Sequence, residues 1–233
     1  MGTATDLLDR TVYGVDQVDG LVGLTSGTAR RWIDGYDRGG KTYPPVVREE
    51  TTGDELVTWG EFLETRLLAE YRDAGVPMIH MRPAVSELRK RFQRRYPLAH
   101  ASAFLDVDGK ELVMSVQEEV RLEKALYLVV VRNNQLVLAP PTERFVQSTD
   151  FGNETRIAER LYPLPDDRLV MMDPRRQFGQ PVVRSVPTAV IAEQVRAGDP
   201  IDMIVGLYEL TRAQVESAIR YELIRGKPTL AAA

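Results

Sequence analysis

The sequence predicts a mainly α-helical protein with a small antiparallel β element, an α+β fold. Apolar residues recur at helical spacing near both ends of the chain, whereas a β-branched run with an Asn133-Asn134 turn occupies its centre. With 43% hydrophobic and 27% charged residues, 233 residues suffice for one large or two small domains. We expect domains at 1–100, 101–168 and 169–225, followed by a flexible tail at 226–233.

Composition excludes several classes of protein. The net charge of -4 argues against coating nucleic acid through bulk charge, although local basic patches can still bind DNA. The absence of cysteine excludes disulfide frameworks and thiolate-ligated metal centres, and the two histidines have no metal-ligand pattern. The N-terminus lacks a signal-peptide pattern, and no apolar run has membrane-spanning length. We therefore expect a soluble, cytoplasmic protein without metal or cofactor.

The stretch 13–45 predicts a helix-turn-helix. The apolar face of its first helix is formed by Val15, Val18, Val22 and Leu24. The inward residues of its second helix are Ala29, Trp32 and Ile33. Between them, Thr25 or Ser26 is expected to cap the second helix, with Gly27 close to the turn.

Polar side chains face outward at the start of this second helix, where a recognition helix enters the major groove. Arginine can contact guanine edges or phosphates, and serine or threonine can reach either. The predicted DNA contacts here are Ser26, Thr28, Arg30, Arg31, Tyr36, Arg38 and Lys41. The alternative is a capped surface helix with two solvated arginines.

Two more helices are predicted before residue 97. Thr58 and Glu61 have capping-box spacing in front of an apolar face, and Gly75 is expected to end that helix. Pro83 suits the first turn of the next helix, which is the most basic stretch of the chain. We predict that it contacts phosphates through Arg89, Lys90 and Arg94. A solvated charged face is the alternative.

The centre of the chain predicts β-strands. Residues 104–114, FLDVDGKELVM, suggest two short strands around a turn at Asp108-Gly109. Residues 125–140, ALYLVVVRNNQLVLAP, predict a hairpin that turns at Asn133-Asn134. The sequence leaves open whether this element is a wing of a DNA-binding domain or a dimerisation element.

Three short helices are predicted after a strand-like PVVRSV segment at 181–186, in a homeodomain-like bundle. Pro187 opens the first helix and Gly198 ends it; Asp199 and Thr211 are expected to cap the second and third. The inward residues of the first helix are Ala189, Ile191, Ala192 and Val195. Those of the third helix are Val215, Ile219 and Leu223. The third helix exposes few cations, which favours an interaction module over a second DNA reader.

The C-terminal unit resembles a family of domains of unknown function with the approximate signature G-x-P-x-I-x-G-T-R, a helix, A-G, a short acidic helix and Y-x-x-L-T. The matching segments are Gly179-Gln180-Pro181-Val182-Val183, Ala197-Gly198-Asp199 and Leu207-Tyr208-Glu209-Leu210-Thr211. The match covers 173–223 and departs at 184–187, where RSVP replaces the family's R/K-G-T-R. Such domains occur in bacterial antitoxins encoded beside PIN-like ribonuclease toxins.

With a MerR-like helix-turn-helix in front, the whole architecture is similar to VapB-type antitoxins of mycobacteria. The front carries Tyr13, Arg30-Arg31-Trp32, Gly35-Tyr36 and Tyr43-Pro44-Pro45-Val46. This resemblance implies a homodimer that binds its own operator DNA and inactivates a PIN-like ribonuclease toxin. The cations available to cover the toxin's acidic site are Arg175, Arg176, Arg184, Arg225 and Lys227.

Two other classes of function compete with the antitoxin. One is a stand-alone MerR-like transcription regulator with a C-terminal module for a ligand or partner. The other is an enzyme, against which the sequence has no glycine-rich phosphate loop and no G-x-S-x-G or H-E-x-x-H motif. Asp106 and Asp108 lack the further ligands of a calcium loop. We therefore expect no catalytic activity.

Overall fold

The computed structural model describes residues 7–164 and 167–225, which fall into two compact units. Unit 1 runs to Gln147 and includes Phe151–Ala158, and unit 2 comprises Ser148–Asp150 with the chain from Glu159 onward. Residues 101–147 belong to unit 1, so the boundary expected at residue 100 does not separate compact units. Helices alternate with small antiparallel sheets, which confirms a mixed α+β fold. The expected tail at 226–233 lies outside the described residues.

Seven α-helices and six strands lie wholly within the described residues of unit 1 up to residue 147. The strands are β1 Thr11–Gly14, β2 Tyr36–Arg38, β3 Lys41–Tyr43, β4 Leu56–Thr58, β5 Val129–Arg132 and β6 Gln135–Leu138. The helices are α1 Val15–Val22, α2 Thr28–Asp34, α3 Trp59–Ala69, α4 Arg82–Phe92, α5 Ser102–Leu105, α6 Val107–Glu119 and α7 Pro140–Gln147. The antiparallel pairs β1–β4, β2–β3 and β5–β6 each form a two-stranded sheet.

Helix α3 is the centre of unit 1. The predicted capping box is confirmed: the Thr58 hydroxyl accepts from the Glu61 amide at 3.3 Å, and the Glu61 carboxylate accepts from the Thr58 amide at 2.9 Å. Its apolar residues are fully buried, and the Trp59 indole donates to the Ala158 carbonyl at 2.9 Å. The helix ends at Ala69, so Gly75 instead ends the short 3-10 turn Arg72–Ala74.

The strands predicted at 104–114 are wrong, because this segment forms α5 and α6. Gly109 does not make a turn; it lies against the Ser102 backbone, where a side-chain carbon would overlap the Ser102 carbonyl oxygen. Glycine thus lets two helices approach closely at this point. Val113 and Val116 are fully buried on the inner face of α6.

The hairpin predicted at 125–140 is confirmed as β5–β6, with Val129 opposite Leu138 and Arg132 opposite Gln135. Asn133 and Asn134 both have positive φ, 50° and 59°, as a two-residue turn of this kind requires. The strands leave this turn in register, and the base of the hairpin is buried in unit 1.

Unit 2 combines a small sheet with three helices. Strands β9 Val170–Met171, β10 Val182–Val183 and β11 Val186–Pro187 form a sheet of order β11-β10-β9. Strands β7 Thr149–Phe151 and β8 Ala158–Leu161, each of which has one residue assigned to unit 1, pair with each other. The helices are α8 Thr188–Ala197, α9 Ile201–Tyr208 and α10 Arg212–Arg225. Their core includes Val183, Ile191, Ile204, Val215 and Tyr221.

Several details of the predicted C-terminal helices are corrected. Gly198 ends α8 as expected, with φ 99°, and Thr211 caps α10 by accepting from the Gln214 amide at 3.2 Å. Asp199 does not cap α9, because Pro200 occupies the capping position. Ala189 and Leu223, which were expected to face inward, are exposed. Within the described residues, no helix has both the length and the apolar character needed to cross a membrane.

Candidate nucleic-acid interface

The connection between α1 and α2 depends on one carboxylate. Asp19, on α1, accepts from the backbone amides of Gly27 and Ala29, each at 2.7 Å, and is almost fully buried. Gly27, with φ 77°, occupies the capping position of α2, so the cap expected at Thr25 or Ser26 is wrong. A negative charge at the start of α2 also complements the helix dipole. The first turn of α2 is therefore fixed relative to α1.

The two arginines of α2 differ in their contacts. Arg30 donates from Nη1 to Glu55 Oε1 at 2.6 Å and from Nη2 to the other Glu55 oxygen and, at 3.4 Å, to Asp16. These carboxylates, Glu55 first, raise the pKa of Arg30. Arg31 is exposed and folds back on its own helix, donating to the Gly27 carbonyl and to the Thr28 hydroxyl, both at 3.0 Å. Arg30 is thus held in an ion-pair network at this surface.

The β2–β3 hairpin follows α2 directly and is exposed along most of its length. Gly39 and Gly40, both with positive φ, form its turn, and Arg38 and Lys41 are paired beside them. At its base, the rings of Tyr36 and Tyr43 stack with centroids 4.7 Å apart and planes 5° apart. The hairpin therefore presents two cations at its tip.

The sequence predicts DNA contacts at Tyr36, Arg38 and Lys41, but it does not predict this hairpin. The available indication was the Gly39-Gly40 pair, since two glycines between short matching segments favour a tight hairpin turn. The flanking segments, YDR and KTY, lack the apolar alternation of a buried strand. The local sequence therefore indicated a turn more clearly than the strands beside it.

The chain that leaves the hairpin is bound to the end of α2. The amides of Val46 and Val47 both donate to the Trp32 carbonyl, at 2.8 and 3.0 Å. Gly35, with φ 76°, allows the tight approach at this point, because a side-chain carbon there would lie 2.6 Å from the Tyr43 carbonyl oxygen. The direction of the hairpin relative to α2 is thereby constrained.

Arg48 forms a buried ionic network behind this surface. Its guanidinium donates at 2.9 Å both to Asp34, the last residue of α2, and to Glu61 in the first turn of α3. It also donates to the Leu56 carbonyl at 2.8 Å. Burial favours the neutral form of Asp34, but hydrogen bonds from the Thr52 amide, Arg48 and other donors outweigh it and lower the Asp34 pKa. Arg48 thus joins α2, the following loop and α3.

The basic helix α4 was expected to present Arg89, Lys90 and Arg94 to phosphates, and the structure exposes only part of this set. Arg89 is buried and donates to the Val47 carbonyl at 2.6 Å and the Arg95 carbonyl at 2.8 Å, so its guanidinium supports the loop instead of facing solvent. Arg94 is half-buried and donates to the Ser102 hydroxyl at 3.0 Å. Lys90 is exposed and lies 3.3 Å from Glu87. Of the three predicted phosphate contacts, Lys90 is the one with a largely exposed side chain.

A cavity of about 1030 Å³ lies between α4 and the 46–56 loop. Its cationic lining comes mostly from α4 and the residues after it, and its acidic lining mostly from the loop, with Glu61 contributed by α3. The basic residues are Arg48, Arg82, Arg89, Lys90, Arg94 and Arg95, and the acidic ones are Glu49, Glu50, Asp54 and Glu61. This mixture of signs does not give the uniformly positive surface that a phosphate backbone favours.

Glu64, on α3, is a fully buried carboxylate near Arg89. One oxygen accepts from the Leu98 amide at 3.1 Å, and the other has no hydrogen-bond partner among the described residues, with Arg89 Nη2 3.8 Å away. Burial raises the pKa of Glu64 to about 7, although the Arg89 charge acts in the opposite direction. No sequence motif indicated this group.

The cations predicted to reach a toxin are mostly engaged within unit 2. Arg175 pairs with Glu159 at 3.0 Å, Arg184 donates to the Glu209 carbonyl at 2.8 Å, and Arg225 lies 3.7 Å from Glu222. Arg176 is exposed, and Lys227 lies outside the described residues. In the part of the chain that the structure describes, no group of three or more histidine, aspartate or glutamate residues could hold a metal ion.

Comparison with known proteins covers nearly the whole chain. Residues 170–221 match the family model described as a protein of unknown function, DUF433. The uncharacterized protein Rv2308 of Mycobacterium tuberculosis is 41% identical in an alignment 226 residues long, which covers 94% of this chain and 93% of the relative. "Putative antitoxin VapB45" of the same organism is 27% identical over 226 residues, 91% of this chain and 93% of the relative. The crystal structure of Rv2018 from Mycobacterium tuberculosis superimposes with a TM-score of 0.73 at 25% identity, covering 91% of this chain and 99% of that one.

Proposed function

The chain belongs to the protein family of Rv2308, and we propose that within this family it acts as the antitoxin of a type II toxin–antitoxin pair. The relative named "Putative antitoxin VapB45" aligns with it over nine-tenths of its length, which is the observation that carries the proposal. The partner is then a toxin, specifically a PIN-like ribonuclease. The chain contributes binding energy and no catalysis.

We propose that the chain neutralises the toxin by electrostatic contact with its active site. A PIN-like ribonuclease holds its divalent metal ions in a cluster of carboxylates, and an inserted guanidinium neutralises such a cluster through bidentate hydrogen bonds. Arg176 is one of the predicted cations that are exposed in unit 2. Arg175, Arg184 and Arg225 would first have to exchange the partners that they have within unit 2.

The test of neutralisation is co-purification with the product of the adjacent reading frame, followed by an RNA-cleavage assay with and without this chain. We expect co-elution and suppressed cleavage. Arg176→Ala should weaken the suppression, whereas Arg196→Ala, an exposed arginine on α8, serves as the matched control. If the nuclease neither co-elutes nor loses activity, the stand-alone regulator becomes the better explanation.

The regulatory activity that we propose for unit 1 is binding to the operator of its own operon, with α1 and α2 as a helix-turn-helix. Its main support is the β2–β3 hairpin, because its exposed cations Arg38 and Lys41 directly follow α2. Arg31 on α2 and Ser26 just before it are exposed as well, and Thr28 is half-buried. A helix in the major groove and a cationic hairpin on the neighbouring phosphates together form a continuous contact.

This binding is measured by fluorescence anisotropy with a labelled fragment of the upstream DNA. The double variant Arg38→Ala/Lys41→Ala should bind at least about 10-fold more weakly, since each lost phosphate contact removes favourable electrostatic energy. The control is Arg132→Ala, which removes an exposed arginine from the tip of the β5–β6 hairpin in the same unit. Equal DNA binding by the double variant and the control would show that the β2–β3 hairpin is not part of the interface.

A further inference from the structure

The cavity between α4 and the 46–56 loop has one wall that is formed by a single side of the helix. Four polar residues of α4 line it: Arg82, Ser86, Arg89 and Lys90. Their spacing, i, i+4, i+7 and i+8, puts them on the same side of α4. The neighbouring side of the helix is apolar and buried. One side of α4 therefore fixes the helix in unit 1, and the other presents a row of hydrogen-bond donors to the cavity.

Several guanidinium donors on this side of the cavity have no carboxylate bound to them in the part of the chain that the structure describes. The Arg82 side chain donates only to two backbone carbonyls, at 2.8 and 3.3 Å. Arg94, which follows α4 and also lines the cavity, donates only to the Ser102 hydroxyl, at 3.0 Å. Arg89 uses Nε and Nη2 for its hydrogen bonds, and its Nη1 has no hydrogen-bond partner among the described residues. These donors are available to a bound anion.

The loop side of the cavity carries acceptors. Glu50 and Asp54 are exposed carboxylates on this side, and neither has an ion-pair partner among the described residues. As far as the structure describes it, the lining has six basic and four acidic side chains, an excess of two positive charges in a chain whose net charge is -4. Because the walls of a cleft concentrate the field of their charges, this excess attracts small anions into the cavity.

We propose that this cavity binds a small organic phosphate, either a nucleoside monophosphate or a sugar phosphate, with its phosphate group on the α4 side. A phosphate monoester carries a charge of about −1.5 to −2 and three strong acceptor oxygens, so it accepts hydrogen bonds from several of these cations at once. Hydroxyl or amino groups on the organic part of the ligand donate to Glu50 and Asp54. The ligand thus matches both sides of the cavity.

The size and the mixed charge of the cavity both suit a small molecule of this kind. Its volume of about 1030 Å³ lies at the upper end of the range of roughly 300–1,000 Å³ that is usual for small-molecule sites. The acidic loop repels a continuous phosphate backbone, whereas a ligand with one anionic end places its neutral end there. The inference goes beyond the antitoxin function and does not depend on it.

The first experiment is isothermal titration calorimetry of the full-length chain with adenosine 5′-monophosphate and with glucose 6-phosphate. Adenosine and glucose are the matched probes that lack the phosphate. We expect at least one of the two phosphates to bind with a Kd of about 1 mM or tighter. Its unphosphorylated counterpart should bind at least about 10-fold more weakly, because charge-assisted hydrogen bonds to the phosphate are lost. Binding of the nucleotide alone identifies the ligand as a nucleotide, and binding of glucose 6-phosphate alone identifies a sugar phosphate.

Two substitutions locate the binding site. Lys90→Glu reverses an exposed charge on the cavity wall, and Arg94→Gln removes a guanidinium while keeping a donor for the Ser102 hydroxyl. Each should weaken binding of the phosphate at least about 10-fold. The control is Lys124→Glu, which makes the same change of charge at an exposed lysine of unit 1 that does not line the cavity. It should bind the phosphate like the wild-type chain.

A competition measurement keeps the inference testable if a variant fails to fold. Pyrophosphate offers the same anionic oxygens without the organic part, so it should displace the bound ligand from the wild-type chain.

Three results would overturn the inference. They are no binding of either phosphate up to about 10 mM, equal binding with and without the phosphate group, and equal binding by the cavity variants and the Lys124→Glu control. A chain that binds the phosphate but neither DNA nor a nuclease would refute the proposed function and leave this site in place.

Discussion

The two hairpins of unit 1 have similar turns and are anchored by opposite chemistry. Behind β2–β3, the charged groups Arg48, Asp34 and Glu61 join the supporting segments, with Arg89 and Glu64 nearby. At the base of β5–β6, the neutral amide of Gln117 donates to the Val129 carbonyl at 2.9 Å and accepts from the Leu128 amide at 2.6 Å. Each short hairpin is thus held by the residues that support its base, and the charges among those residues determine how its stability responds to pH.

Removing Arg48, the central charge of the ionic network behind β2–β3, should lower the stability of the chain the most. Arg48→Ala leaves the buried carboxylates Asp34 and Glu61 without their cation, which typically costs about 3–5 kcal/mol of unfolding free energy. Urea denaturation at pH 7 measures this loss. A loss below about 1 kcal/mol would show that the hairpin region does not depend on the ionic network. Arg132→Ala, on the second hairpin, is the exposed control, for which we expect a change within about 0.5 kcal/mol.

Glu64 is the group behind β2–β3 whose effect on the pH dependence of stability can be isolated by a substitution. Its pKa in the folded chain is about 7, above its ordinary value of 4.5, so the folded state prefers the protonated form. The stability that this preference contributes is full below about pH 4.5 and is lost as the pH rises through about 7. Glu64→Gln keeps an oxygen for the Leu98 amide and cannot ionise. We expect it to remove about 2–3 kcal/mol of the wild-type decline in stability between pH 5 and pH 8.

Urea titrations of both chains across that pH range provide the measurement. The slope of stability against pH is more informative than the stability at one pH, because the new amide also changes the contact with Arg89. Parallel curves for wild type and variant would mean that Glu64 does not titrate in this range. The two hairpins would then not differ in how their stability responds to pH.

Removing the side chain that anchors the second hairpin should lower stability by a smaller amount, which does not depend on pH. Gln117→Ala leaves the Val129 carbonyl and the Leu128 amide unpaired in a buried position, at a cost of about 1–2 kcal/mol. Because no charge is involved, the loss should be the same at pH 5 and pH 8. A loss that changes with pH by more than about 1 kcal/mol would contradict the neutral character of this anchor.

Local patterns predicted the elements whose causes are local. The Thr58–Glu61 capping box and the Asn133-Asn134 turn each depend on residues within three positions of one another, and both were correctly predicted. The 104–114 segment was wrongly predicted as strands, because Gly109 is required by contact with the backbone of Ser102 and not by its own conformation. Spacing alone cannot distinguish these two uses of glycine.

The candidate site was harder to predict than the fold because its determinants are distant in sequence. Asp34 and Glu61 lie 14 and 13 residues from Arg48, and Val47 lies 42 residues from Arg89. Among the basic residues of α4, sequence spacing could not show that Arg89 would be buried while Lys90 stayed exposed. What distinguishes them is which side of α4 meets the 46–56 loop, and that requires tertiary structure.

The ion pairs of Arg30 affect how many counterions are released when the chain binds DNA. If Arg30 transfers from Glu55 and Asp16 to a phosphate, the DNA loses a condensed cation, but the two carboxylates left behind attract one from solution. The net release of ions from this contact is then close to zero. The slope of operator affinity against salt concentration would therefore reflect the contacts of Arg38, Lys41 and other cations without strong acidic partners. A contact made by Arg30 would add almost nothing to that slope.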